Sequence, residues 1–320
     1  MEAPTLMDIV EAAQRIKPYM NPSPLYTYPT LNEYLGFKAY IKHENYNPTG
    51  AFKIRGGINL ISRLSPEEKK RGVITASTGN HGQSIALACK IFGVEAHICV
   101  PDRANPIKVA AIRMHGANIH EKGKDFDEAV ENGKQLAKEH GYRFINSGNE
   151  PYLIAGVGTI GLEIMEQQPD IDVVISPVGS GTGAGGTATA VKALRPKVET
   201  ISVQAEKAPS IYMSYRSGKP ESTATAATFA DGLATRNAFE LPLGILRSHV
   251  DDFVLVSEEE MRHAIKLYLE HCHTVAEGAG AASLAAAVKL KDRLKGKKVA
   301  LVLSGGNITY TEILKSIQSG

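Results

Sequence analysis

Tryptophan is absent from the chain, and aromatic residues make up only 6% of it. A surface built to stack nucleic-acid bases is therefore not expected. Charge of one sign is also missing: 36 basic residues nearly balance 34 acidic ones, leaving a formal net charge of +2 and no electrostatic footprint for nucleic acid. Long apolar runs do not occur, because Gly, Lys or Glu interrupts each one well before the roughly 20 residues that a membrane helix needs. The opening Met1-Glu2-Ala3-Pro4 lacks a charged-then-apolar secretory pattern. Cysteine is scarce. Cys89, Cys99 and Cys272 are odd in number, widely spaced and free of any Cys-x-x-Cys, which excludes a disulfide framework and fits a reducing cytoplasm. Each is expected to be a small buried hydrophobe.

What remains is an ordinary globular composition, 43% apolar and 22% charged over 320 residues, enough for one large domain or two. Nearly continuous apolar runs at 73–76, 96–100, 173–176, 200–203, 253–256 and 299–303 read as parallel strands covered on both faces. Helical patterns lie between them at 82–92, 126–140, 153–167, 183–194, 258–272 and 279–294. Strand and helix alternating over this length predict an α/β fold with right-handed crossovers. Thr5-Leu6-Met7-Asp8 signals a helix start, with Leu6, Ile9, Val10, Ala13 and Ile16 along one face. Residues 72–149 hold several complete strand-helix units and are expected to form a small inserted domain. Residues 1–71 and 150–320 then close into a larger one.

Four segments carry chemistry. Lys53 lies in Asn47-Pro48-Thr49-Gly50-Ala51-Phe52-Lys53-Ile54-Arg55-Gly56-Gly57. On its own it reads as a solvated lysine at a helix start; the alternative is an amine that condenses with an aldehyde. Gly179-Ser180-Gly181-Thr182-Gly183-Ala184-Gly185-Gly186 follows an apolar strand and opens a small-residue helix, so its N–H groups and hydroxyls can converge on an anion. The spacing is neither Gly-x-Gly-x-x-Gly nor a triphosphate loop, which disfavours a dinucleotide. Ser77-Thr78-Gly79-Asn80-His81-Gly82 also follows a strand and starts a helix, which suits a small carboxylate. Ser304-Gly305-Gly306-Asn307 closes the last strong strand, where ligands of open α/β sheets bind; alone it reads as an ordinary turn. Together, an amine, a phosphate cradle and a neutral hydroxyl are what is needed to hold pyridoxal phosphate by its aldehyde, its phosphate and its ring nitrogen. Glu277, ahead of Gly278-Ala279-Gly280, either caps a helix or points into the site, and Ala230-Asp231-Gly232 is first a turn.

From about Pro24 to Asn307, in order, these motifs resemble the serine/threonine dehydratase and serine racemase family of fold-type-II pyridoxal-phosphate enzymes. The resemblance implies a tryptophan synthase β-like α/β architecture. Two open, mostly parallel twisted sheets with flanking helices would place the active site between a large cofactor-binding domain and a small substrate-carboxylate domain. It implies that Lys53 forms the imine and that Phe52 lies beside the cofactor. Gly179, Ser180, Gly181, Thr182 and Gly183 would hold the phosphate, Asn80 the ring hydroxyl, and Ser304 the ring nitrogen. Glu277 would border the cofactor, and Ser77, Asn80, His81 and Thr235 would contact substrate. The reaction implied is α,β-elimination of a small 3-hydroxy-L-amino acid, L-threonine or L-serine, to a 2-oxo acid and ammonia. The cofactor phosphate would protonate the leaving hydroxyl. Serine racemase, or a dehydratase of 3-hydroxyaspartate or phenylserine, is the alternative.

Departures from the family pattern narrow this reading. Thr78 fills a slot where racemases carry a catalytic serine and many dehydratases an alanine, so a racemase side activity stays open. Tyr212 replaces an acid of the racemase metal pattern, so no magnesium site is expected, while Glu206 could hold a monovalent cation such as potassium. Asn146-Ser147 replaces a usual His-Pro, and Val157 a common Gln, which leaves the substrate side chain open. The chain stops soon after Ser304, so no C-terminal regulatory domain is expected. A cytoplasmic homodimer or homotetramer is implied, acting on a small molecule with neither nucleic acid nor membrane as partner.

Overall fold

The computed structural model describes residues 1–318. Among these residues ten strands form two sheets: β1 (Leu25–Tyr26), β2 (Lys38–His43), β3 (Val73–Ala76), β4 (Ala96–Val100), β5 (Asn118–Glu121), β6 (Arg143–Phe144), β7 (Val173–Pro177), β8 (Glu199–Ala205), β9 (Asp252–Val256) and β10 (Lys298–Leu303). One sheet has the order β1-β2-β10-β7-β8-β9, parallel except for the antiparallel β1. The other, β5-β4-β3-β6, is parallel throughout. This is the expected α/β architecture of two mostly parallel sheets with flanking helices.

The apolar runs form strands because both faces of each sheet are covered. On one face of the six-stranded sheet, Ile41, Val173, Ile175, Ile201, Val203 and Leu301 pack on Ala281, Ala282 and Ala285 of the Gly278–Lys289 helix. Tyr40, Val174, Ala300 and Val302 point the other way, onto Ile160 and Ile164 of the Pro151–Gln167 helix. Alternation along each strand thus sorts two cores from one hydrophobic run. At the N-terminus the Thr5 hydroxyl accepts from the Asp8 N–H while the Asp8 carboxylate accepts from the Thr5 N–H, a reciprocal cap. The buried face of the helix that follows, Leu6–Ile16, is Ile9, Ala12 and Ile16. All three cysteines are buried and free.

The helix expected over 279–294 is two, Gly278–Lys289 and Lys291–Leu294, because Leu290 leaves helical geometry at φ −97°, ψ 14°. No helix among the described residues is long and apolar enough to cross a membrane.

Candidate active site

Adjacent parallel strands deliver adjacent loops at their carboxyl ends. β10 lies between β2 and β7, so the segment leading to Lys53, the Ser304 turn and the glycine loop open on the same edge of one sheet. Ala51 bridges to Gly305, and the Phe52 N–H donates to the Ser304 carbonyl at 3.0 Å. Those bonds seat Lys53 at the start of the Ile54–Ser62 helix, and its Nζ donates to Thr182 Oγ1 at 2.8 Å. Amine and glycine loop therefore meet directly. Thr182 opens the Thr182–Leu194 helix, and Gly181 precedes it at φ +90°, a conformation that favours glycine. The loop is walled by close contacts: a Cβ at Gly179 would lie 2.0 Å from the Gly232 carbonyl, and one at Gly183 would lie 2.8 Å from the Phe52 ring. Ser180 Oγ lies 3.3 Å from Thr182 Oγ1. The side chain of Ser304 is buried.

The four-stranded sheet contributes from the end of β3. Ser77 Oγ accepts the N–H groups of Gly79 at 3.2 Å and Gly82 at 2.9 Å, so its own proton is left to donate. The Asn80–Phe92 helix begins there; Ser77 takes the Gly82 N–H, so the Asn80 and His81 N–H groups are the ones its first turn leaves over. His81 is buried. Thr75 Oγ1 gives its proton to the Ile145 carbonyl, so His81 Nε2, 3.1 Å away, must carry the hydrogen and donate to Thr75. His81 Nδ1 is then a buried acceptor with no partner. Burial, with Lys53 nearby, holds the His81 pKa down to about 3, so the ring is neutral. Thr78 is half-buried at the mouth of this turn.

Asn80 ties the two sheets together. Its Nδ2 donates to Glu277 Oε1 at 2.7 Å, and its Oδ1 accepts from Asn307 Nδ2 at 2.7 Å. Glu277 reaches the site past Gly305, where a Cβ would lie 2.6 Å from its Oε1. Burial pushes the Glu277 carboxyl up to about 7, against the Asn80 hydrogen bond. Burial also lowers the Lys53 amine to about 8, with no carboxylate beside it to oppose the shift. Thr235 follows the Asp231–Leu233 turn that presses on Gly179; its carbonyl accepts from Ser210 Oγ at 2.5 Å. Lys108 pairs with Asp231 across this opening, and Arg236 pairs with Asp127 at 3.3 Å.

Glu206 stands apart from this cluster. Its carboxylate faces the Lys289 ammonium at 3.4 Å, and Tyr212 packs edge-on to Phe253 with ring centres 5.7 Å apart.

Sequence reasoning missed the support behind Lys53. Arg55, two residues on, is fully buried and spends its guanidinium on Glu44 (2.7 and 2.9 Å), Glu163 (2.5 and 2.8 Å) and Thr159 (3.0 Å). Lys42 completes the network, donating to Glu163 at 2.5 Å and to the Ser23 carbonyl at 2.6 Å. Burial would raise the Glu44 carboxyl, but Arg55 and Lys42 hold it below its usual range. The partners lie up to 121 residues apart, beyond the reach of any local pattern. Asn307 was also missed as a site residue, although it ends the Ser304 motif.

Residues 16–305 match the model of a family described as "Pyridoxal-phosphate dependent enzyme". The chain is 44% identical over 316 residues to an L-threonine ammonia-lyase of Thermotoga maritima, covering 99% of this chain and 79% of that relative. It is 38% identical to an L-threo-3-hydroxyaspartate ammonia-lyase of Saccharomyces cerevisiae, covering 100% of this chain and 99% of the relative. Among solved structures, maize serine racemase superposes with a TM-score of 0.94 at 32% identity, covering 99% of this chain and 97% of that one.

Proposed function

The chain belongs to the pyridoxal-phosphate-dependent enzymes, and on that premise we propose that it is an ammonia-lyase converting L-threonine or L-serine to a 2-oxo acid and ammonia. The observation that carries this is the Lys53 amine, its proton affinity lowered by burial, set 2.8 Å from a hydroxyl of a glycine-rich helix start. The residues fit the cofactor: a loop with no room for a Cβ at Gly179, Gly181 or Gly183, the hydroxyls of Ser180 and Thr182 between them, and a neutral serine at the next strand end. Gly179, Ser180, Gly181, Thr182 and Gly183 would hold the phosphate, Phe52 would wall the site, and Asn80, Glu277 and Ser304 would line the ring. When bound, pyridoxal phosphate withdraws electrons from the substrate Cα and so acidifies its C–H bond.

The protein's own residues do the rest. Lys53 would hold the cofactor by its aldehyde, and its Nζ, once free, would take the substrate's Cα proton. An amine near pKa 8 is free base often enough at neutral pH to do this, and its conjugate acid is strong enough to give the proton back. Ser77, with one hydroxyl proton to spare, and the first N–H groups of the Asn80–Phe92 helix bind the substrate carboxylate. Neutral His81 adds polar contact without a second positive charge, and Thr235 would contact substrate as well. Holding the carboxylate there orients Cα–H toward Lys53. Ser304 offers a hydroxyl in place of a carboxylate, so it does not favour a proton on the ring nitrogen; this tempers electron withdrawal and favours elimination.

Residues 72–149 would act as the small substrate domain, and residues 1–71 with 150–320 as the large one. We place the enzyme in the cytoplasm as a homodimer or homotetramer. The cation, if one is used, is a monovalent ion at Glu206 competing with Lys289 for the carboxylate; titrating potassium into cation-depleted enzyme tests this, and unchanged turnover removes it.

A panel of L-threonine, L-serine, 3-hydroxyaspartate and phenylserine, assayed for 2-oxo acid, tests the substrate. The highest kcat/KM is expected on L-threonine or L-serine; preference for 3-hydroxyaspartate would transfer the assignment to the activity named for the yeast relative. Thr78 favours a second activity, because it keeps a hydroxyl in the slot where racemases of the family carry a catalytic serine. Thr78→Ala is expected to lower D-serine formation about 10²-fold, in line with the loss of one acid-base group, while oxo-acid release changes less than about threefold. Equal loss of both would make Thr78 a binding group.

A further inference from the structure

One chain of hydrogen bonds runs from a backbone carbonyl to a carboxylate through two side-chain amides. Thr49 O accepts from Asn307 Nδ2 at 2.8 Å, Asn80 Oδ1 accepts from the same Nδ2 at 2.7 Å, and Glu277 Oε1 accepts from Asn80 Nδ2 at 2.7 Å. A carbonyl can only accept, so the Asn307 atom facing Thr49 must be its NH2 group. Both Nδ2 protons are then spent, one on Thr49 and one on Asn80. The Asn80 atom facing Asn307 must therefore be its oxygen, which leaves the Asn80 NH2 on the far side. One of those protons goes to Glu277 and one remains.

We propose that Asn307 is a positioning residue that reads the Thr49 carbonyl and thereby fixes which end of the Asn80 amide faces the cofactor. The inference rests on the reading above, in which Asn80 meets the cofactor's ring hydroxyl. It predicts that the ring oxygen is met by an N–H donor and never by the Asn80 carbonyl.

The surroundings are built for this. Gly50 sits at φ +67°, and a Cβ there would lie 2.6 Å from Asn307 Oδ1, so the loop leaves room for the amide. The Gly306 N–H donates to the Gly50 carbonyl at 2.9 Å, which clamps the two loops at that point. Glu277 cannot impose the direction alone, because a carboxyl pushed up to about 7 can donate or accept near neutral pH. The Thr49 carbonyl has no such choice.

The test uses full-length protein with pyridoxal phosphate. In Asn307→Asp the side chain has lost its donor, so Asn80 is expected to turn over and present its oxygen to Glu277 and the cofactor. The ratio of the cofactor's visible bands should shift, and kcat should fall about tenfold with KM within about threefold, the size of one hydrogen bond made to the reacting system. The double variant Asn307→Asp, Glu277→Gln supplies a donor at 277 and so pairs Asn80 in the opposite direction, while the Thr49 carbonyl stays without its donor. It should raise the cofactor-free Tm by about 2 °C over Asn307→Asp, since about one hydrogen bond is restored, yet keep the shifted spectrum. A spectrum that returns with the Tm would show that Asn307 only supports the fold. A wild-type spectrum in Asn307→Asp would also overturn the proposal. Should that variant not remain soluble, Asn307→Ser has a single proton for two acceptors and should shift the spectrum in the same sense; no shift overturns the proposal again. Wild-type protein that stays colourless with the cofactor would instead refute the underlying function, not this inference alone.

Discussion

Replacing Lys53 with alanine is expected to leave a folded protein that has lost covalent hold on the cofactor and makes 2-oxo acid at least about 10³-fold more slowly, because the nucleophile and the general base disappear together. The measurement is oxo-acid release from L-threonine, alongside borohydride trapping of the cofactor on the chain. Turnover at the wild-type rate would end the assignment. Stability should move the other way. Lys53 is half-buried with no carboxylate beside it, and burial has lowered its affinity for protons. A folded-state pKa of about 8, below the free value of 10.5, means that the cost of charging the buried amine is fully present below pH 8 and fades as pH rises toward 10.5. Alanine removes that cost, so the cofactor-free variant should melt no lower than wild type at pH 7. The strain at position 53 is retained for the reaction it enables.

Arg55→Met is expected to produce the largest loss of stability. It removes one of two buried cations from a network holding two buried carboxylates, Glu44 and Glu163. Leaving a buried charge without its partner costs about 3–5 kcal/mol, readable as a drop in denaturant midpoint for the cofactor-free protein. The pH dependence identifies the cause. Without Arg55, burial should raise the folded-state pKa of Glu44 above its unfolded value. The variant is then least penalised in acid, and the gap to wild type should widen as pH rises from about 4.5 toward neutrality. A gap independent of pH would point to lost packing instead of a stranded carboxylate. Because the Ile54–Ser62 helix starts at Lys53, the same variant should also loosen the amine, raising KM less than it lowers kcat.

Strands and ligand loops differ in how plainly the sequence announces them. Val73–Ala76 and Ala96–Val100 are apolar runs interrupted only by Thr75 and His97, which suffices to recognise a strand buried on both faces. β2 went unread because Lys38-Ala-Tyr-Ile-Lys-His carries a lysine at its core; Lys42 is fully buried only because Glu163, far along the chain, receives it. The Ile54–Ser62 helix showed only its start, at Lys53, because Gly56-Gly57 look like a break. They are contact points instead: a Cβ at Gly57 would lie 2.4 Å from Ser84 Oγ. Lys53, the glycine loop and Ser304 were legible because each lies in a local motif, the last two at strand ends. Their convergence was not, since it depends on β10 entering between β2 and β7. Asn307 shows the remaining gap: the residue was visible, but its bond to Asn80 spans 227 positions.

That placement of β10 governs how the molecule is made. The third of six strands in the sheet comes from the last part of the chain, and its neighbours begin at Lys38 and Val173. A nascent polypeptide emerging from the ribosome must keep β2 and β7 apart, with apolar edges open, until residues 298–303 arrive to join them. Synthesis stalled before that point should yield aggregation-prone fragments with no partial activity, and the site can mature only after residues 298–303 have been made.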